Sequence, residues 1–183
     1  LVGAGDRGLN AYGNYAKNHP EEIQFVGVAE LDDEKREKFK EVHDISDDMA
    51  FKDAKEMLSK ERLADAVFIC TNEKYHYEPA KLAMDKGYHI LLEKPITIEP
   101  ETSLEIGDMA RDYDKTFMLG YVLRYTPFFY NLKKLIDEGK IGEVRSIQYT
   151  ENVGVEHYSH SFVRGVFAKE AEAGPMLLSK SCH

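Results

Sequence analysis

The strongest constraint on the fold is an alternation. Short apolar runs recur along the first two thirds of the chain, and each is followed by a stretch with helical spacing. LVGAG opens the chain as the tail of a strand, and a helix is expected from Arg7 to Asn18, stopped by His19-Pro20. The run IQFVGVAE (23–30) precedes the charged helix DDEKREKFKEVH, capped by Asp32 or Asp33, and a short helix over 53–60. ADAVFICT (64–71) leads to a helix that stops at Gly87. YHILLEK (88–94) leads to a helix with Pro100 in its first turn, and TFMLGY (116–121) follows. Runs without polar alternation suit strands buried on both faces, and strands spaced by helices predict right-handed βαβ units around a parallel sheet.

The turn after the first strand carries Gly3, Gly5 and Gly8 in a GxGxxG pattern, and Glu30 ends the second strand, 22 residues beyond Gly8. This is the context a dinucleotide-binding turn requires. The first glycine permits the tight turn, the second lets the backbone approach a pyrophosphate, and the third lets helix and strand pack closely. The helix start then presents N–H groups and partial positive charge to the phosphates. Glu30 is placed to accept hydrogen bonds from the adenosine ribose and to repel the 2′-phosphate of NADP, so NAD is the expected cofactor. Lys35 and Arg36 are expected to face solvent on the next helix.

Ligands of a parallel sheet lie at the carboxyl ends of its strands, and three segments place polar residues there or beyond. Thr71 and Asn72 end the third strand, with His76 opening the next helix. Glu93 and Lys94 end the fourth, just before Pro95. Charged groups at a buried strand end are costly unless paired, solvated or used, so a salt-bridged strand end is the competing reading. The proline predicts an unusual, cis peptide aiming Lys94 into the cleft. Lys180 and His183, three apart, share a helix face.

After Tyr121 the pattern changes. A helix is expected within 126–142, a long alternating strand over 144–155 and an irregular aromatic stretch over 157–167. These features predict two domains, 1–121 and 122–183. The formal charge of −9 argues against nucleic acid as partner, and no apolar run approaches the length of a membrane span. Cys70 and Cys182 show no metal or redox spacing, which predicts a reduced, cytoplasmic protein. His157 and His160 lack a carboxylate or thiol at ligand spacing, so no metal is expected. The opening lacks Met and the chain stops at Lys180-Ser181-Cys182-His183 without a breaker, so both ends predict a piece of a longer polypeptide.

GAGDRG, the strand ending in Glu30, ICTNEKYH, EKP and the terminal histidine, in this order, together resemble the glucose–fructose oxidoreductase/inositol dehydrogenase (Gfo/Idh/MocA) family. The resemblance implies a Rossmann domain followed by an α/β domain on a large, mostly antiparallel sheet, of which this chain holds only the beginning. It implies hydride transfer between NAD and a secondary alcohol of a sugar or polyol, and a homo-oligomer formed through the complete second domain. A half-sheet with a bare apolar edge would leave the isolated chain unstable or associating. By resemblance Lys94 and His183 are catalytic: histidine as the base for the hydroxyl proton, lysine as hydrogen-bond donor to the alkoxide. The cofactor set is Gly3, Gly5, Asp6, Arg7, Gly8, Glu30, Thr71, Asn72, His76, Glu93, Lys94 and Arg124. Tyr158, His160, Arg164 and Lys180 are candidate substrate groups. Many family members carry Asp four residues before the histidine, where this chain has Ser179. That departure keeps two alternatives open, a non-catalytic NAD sensor and a glycosidase using NAD for transient oxidation.

Overall fold

The computed structural model describes residues 1–165 and 167–182. The chain divides into two compact units, Leu1–Leu119 and Gly120 onward. In the first unit the strands are β1 (Val28–Ala29), β2 (Ala50–Phe51), β3 (Ala66–Ile69), β4 (His89–Leu92) and β5 (Phe117–Leu119). Every ladder is parallel: β1 with β2, β3 with β4, β4 with β5. The opening residues form the middle of the sheet. Val2 bridges Ala29 on one side and Ile69 on the other, both in parallel. Its N–H donates to the Phe68 carbonyl at 2.8 Å, and its own carbonyl accepts from the Cys70 N–H at 2.7 Å. The spatial order is therefore β2, β1, the opening segment, β3, β4, β5, a doubly wound arrangement within the parallel sheet that the strand–helix alternation predicts.

Helices cover this sheet. Arg7–Gly13 winds as a π-helix and continues as α1 (Asn14–Asn18). The others are α2 (Asp33–Val42), α3 (Ala54–Ser59), α4 (Tyr77–Asp85) and α5 (Pro100–Arg111). Asp32 caps α2, its carboxylate accepting from the Glu34 and Lys35 N–H groups at 3.0 and 3.1 Å. Gly87, at φ 71°, lets the chain leave α4 in a left-handed conformation. Pro100 occupies the first turn of α5, where its missing N–H has no helical partner to lose. On one side of the sheet Leu58, Ile69, Leu92 and Ile106 are wholly buried; a second cluster centres on Val28 and Phe39. Burying each such side chain contributes about 1.5–3 kcal/mol.

Cys70 belongs to that second cluster. Burial, with the Glu93 carboxylate as a smaller influence, pushes its thiol up to about 12 from 9.0. An unfolded thiol loses its proton above about pH 8.5, whereas the folded one keeps it until about 12. Between those values the folded state binds more protons, so this group's contribution makes stability fall as pH rises. Below that window the native thiol is protonated and inert. Iodoacetamide at pH 8 is expected to leave Cys70 unmodified in the folded protein and to alkylate it in denaturant; mass spectrometry of the Cys70 peptide reads the difference. Rapid native alkylation would contradict the burial.

The second unit corrects the expected fold class. It holds a short 3₁₀ turn (Val122–Tyr125), α6 (Pro127–Asp137), α7 (Val155–Tyr158), a π-type turn (Ser159–Val163), α8 (Glu170–Ala173) and α9 (Met176–Ser181). Among the described residues it contains no strand, and the sheets are parallel throughout, so the mostly antiparallel sheet is not found. The alternating stretch 144–155 runs without strand pairing, and most of it is exposed. Alternation makes a strand only where a neighbour takes up its backbone hydrogen bonds, and no described segment does so. The stretch read as irregular, 157–167, is instead largely helical up to Val163.

Candidate cofactor site

The chain runs from the opening segment to β1 and β2 on one side, then crosses to β3, β4 and β5 on the other. The loops leaving the opening segment and β3 therefore part at a switch point at the carboxyl ends of the strands, the place where sheets of this kind hold their ligands. The glycine-rich turn lies on one side of this point. Gly3 sits at φ 88°, and a Cβ there would meet the Cys70–Thr71 peptide at 2.8 Å. A Cβ on Gly8 would lie 2.2 Å from the Gly3 carbonyl oxygen. Gly5 is different: a Cβ there meets nothing within 4 Å. Two glycines are thus required by the protein's own packing, while the third keeps an open face beside the helix start. That opening is what the close approach of a pyrophosphate needs, so these residues fit a dinucleotide.

Glu30, just past β1, closes the turn from the other side. Its Oε2 accepts the Ala4 N–H at 2.6 Å and its Oε1 accepts the Asp32 N–H at 3.0 Å. Both carboxylate oxygens are thus held by backbone N–H groups, with lone pairs to spare. Arg36 does not face solvent as expected. Its side chain is mostly buried, donating to the Glu30 carbonyl at 2.6 Å and pairing with Asp33. The guanidinium is used to tie α2 to the end of β1.

On the far side, Glu93 and Lys94 follow β4. Glu93 is buried, its side chain 8% exposed, and it is tied to the glycine-rich helix. Its Oε1 accepts the Tyr12 hydroxyl at 2.6 Å and lies 3.3 Å from the Arg7 Nε, while Oε2 accepts the Lys94 N–H at 3.2 Å. Burial, then the hydrogen bond to Glu93, pushes the Tyr12 phenol well above its ordinary value, so it remains a donor. The Lys94–Pro95 peptide is cis, and Lys94 is half-buried. Tyr12 is the member of this cluster that sequence reasoning missed; no motif marks it.

The β3 end places Thr71 half-buried, Asn72 exposed at the start of a 3₁₀ turn, and His76 wholly buried. Asp6 and Arg7 are exposed at the helix start. Arg124 belongs to the second unit, exposed, with its guanidinium 5.8 Å from the Tyr121 ring centre. There Lys180 contacts His157 Nε2 and lies 5.6 Å from the Phe162 ring centre, and Tyr158 stacks on Phe162 at 6.2 Å. His160 and Arg164 are exposed nearby in sequence. Ser179 is buried, its hydroxyl donating to the Ala173 carbonyl at 3.2 Å. His183 lies outside the described residues. The ligand atoms of His19, Glu21 and Glu22 lie within 4.8 Å of one another, at the far end of α1. Among the described residues no helix is long and apolar enough to cross a membrane.

Comparison with known proteins decides the family. Residues 1–121 match the Gfo/Idh/MocA profile, described as an oxidoreductase family with an NAD-binding Rossmann fold. The chain belongs to the Gfo/Idh/MocA family. Its first 121 residues are the NAD-binding Rossmann domain of that oxidoreductase family. An inositol 2-dehydrogenase of Corynebacterium glutamicum is 34% identical over 103 residues, covering 54% of this chain and 30% of the relative. A D-glucoside 3-dehydrogenase of Escherichia coli is 29% identical over 122 residues, covering 65% and 33%. Among solved structures, the WlbA dehydrogenase of Bordetella pertussis in complex with NADH and UDP-GlcNAcA superposes with a TM-score of 0.67 at 22% identity, covering 78% of this chain and 43% of that one. This Gfo/Idh/MocA chain thus spans about a third of the length of the curated relatives it matches.

Proposed function

We propose that the whole protein transfers a hydride between NAD and a secondary alcohol of a sugar or cyclitol. The observation that carries this is the tie through Glu93. It joins the end of β4, the strand end that carries Lys94, to the glycine-rich helix by way of Tyr12 and Arg7. NAD, when bound, supplies the hydride acceptor. The protein's part is to hold the alcohol and move its proton. The Lys94 ammonium donates a hydrogen bond to the hydroxyl oxygen and stabilises the charge that develops there. His183, by family resemblance, takes the hydroxyl proton. Tyr158 and Lys180 are proposed as substrate contacts, with His160 and Arg164. In this reading residues 1–121 bind the cofactor, while 122–183 begin the substrate domain through which the whole protein forms a homo-oligomer.

The relatives named for inositol and glucoside oxidation support the substrate class, and the poised Glu30 carboxylate supports NAD over NADP. Ser179 favours a second reading. Its hydroxyl is bonded to Ala173, and it supplies no carboxylate for a histidine four residues on. A protein that binds NAD without turnover would need none.

The test is the absorbance of reduced nicotinamide in full-length protein given NAD or NADP with myo-inositol, scyllo-inositol or methyl glucosides. Signal is expected with NAD and one of these alcohols. In Glu30→Ala, NAD affinity is expected to fall about tenfold or more, as the loss of a charge-assisted hydrogen bond implies, and NADP to become competitive. NAD binding without reduction of any kind would favour the sensor. Equal use of NADP by the unmodified protein would remove the role given to Glu30.

A further inference from the structure

His76 is 0% exposed, so its ring offers nothing to a ligand from outside. It lies between two strand ends. Nε2 is 2.9 Å from the Thr71 carbonyl oxygen, just past β3; Nδ1 is 2.9 Å from the Pro95 oxygen and 3.1 Å from that of Ile96, just past β4. All these neighbours are acceptors. Whichever ring nitrogen carries a proton donates to the strand end it faces. The ring is itself anchored, because His76 opens α4 and its carbonyl accepts the Ala80 N–H at 3.1 Å. Buried carbonyls held in this way resist displacement, since losing their donor leaves them unpaired.

We propose that His76 is a positioning residue. By joining the Thr71 carbonyl to those of Pro95 and Ile96, it fixes the backbone from which Lys94 projects and keeps the two strand ends at one spacing. The consequence for catalysis rests on the role of Lys94 given above; the tie itself does not. Glu93 holds the same segment from the glycine-rich side, so Lys94 is fixed from both flanks.

Two variants separate the two halves of the tie. An asparagine amide reaches roughly where Nδ1 lies, and a glutamine amide roughly where Nε2 lies. His76→Asn therefore keeps the donor toward Pro95 and Ile96, and His76→Gln keeps only the one toward Thr71. Hydrogen exchange of full-length protein, read by mass spectrometry on a peptide covering 93–99, is expected to speed up about tenfold in His76→Gln and little in His76→Asn. With myo-inositol as probe, turnover is expected to fall about tenfold in His76→Gln while the KM for NAD stays within threefold; His76→Asn restores most of it. Equal behaviour of the two variants in the 93–99 peptide would overturn the proposal. So would a long-range ¹H–¹⁵N spectrum of the unmodified protein showing no proton on His76 Nδ1, a reading that needs no variant to fold. If the unmodified protein shows no turnover but the exchange pattern holds, the proposed reaction fails and the tie stands.

Discussion

Gly8→Ala is expected to cost the fold about 3 kcal/mol or more, seen as a large drop in the urea midpoint, because the new methyl would lie 2.2 Å from the Gly3 carbonyl oxygen. That oxygen cannot retreat, since Gly3 is itself pressed against the Cys70–Thr71 peptide and its N–H is bonded to Ala29 at 2.8 Å. Gly5→Ala is the control. Its methyl meets nothing within 4 Å, so stability should change by no more than about 0.5 kcal/mol. NAD affinity should nevertheless fall at least about tenfold, because the methyl occupies the space a pyrophosphate needs. Denaturation and NAD titration on both variants check the pair. A Gly5→Ala protein that binds NAD normally would mean the phosphates lie elsewhere.

Lys94→Ala should lower turnover by about 10²–10⁴, the range of a positioned proton-handling group. Burial separates this role from a structural one. Lys94 is only half-buried, whereas the structural charge at this strand end is the Glu93 carboxylate, already satisfied by Tyr12, Arg7 and the Lys94 backbone N–H. Removing the lysine side chain leaves those bonds of Glu93 intact, so the thermal midpoint should fall less than in a variant that removes the Glu93 carboxylate. Glu93→Leu is the contrasting case. It leaves the Tyr12 hydroxyl without its acceptor and should destabilise the unit. Steady-state kinetics beside thermal unfolding separates the two. Lys94→Ala with full turnover would end the catalytic assignment.

What the sequence made legible was local. GxGxxG, an acidic residue at the next strand end and apolar runs spaced by helices all express constraints between near neighbours, and the parallel sheet followed from them. The expectation for 144–155 failed because a strand is a property of two segments, and alternation describes only one. Arg36 escapes a local reading for a related reason. Its place on a charged helix suggested solvent, but the acceptor that drew it in, the Glu30 carbonyl, belongs to the turn before that helix. Tyr12 and Glu93 stand 81 residues apart, and nothing in either stretch announces the other. At a helix start His76 reads as a ligand contact; only the fold shows three carbonyls closing around its ring. The chain's charged pair before Pro95 was legible as either tool or strut, and the structure gives the strut to Glu93.

The place of Val2 in the sheet has a consequence for how the protein is made. Val2 is paired with Ala29 on one flank and Ile69 on the other, so its ladder is complete only after β3 has been synthesised and has come back to meet it. Closing so long a loop is slow compared with forming the local helices. A nascent chain must therefore carry Val2 with its β3 flank open while β1, β2 and their helices emerge, and the glycine-rich turn is completed only when β3 docks. Ligand binding in this protein is thus available late, as a product of the whole unit's assembly rather than of the glycine-rich segment alone.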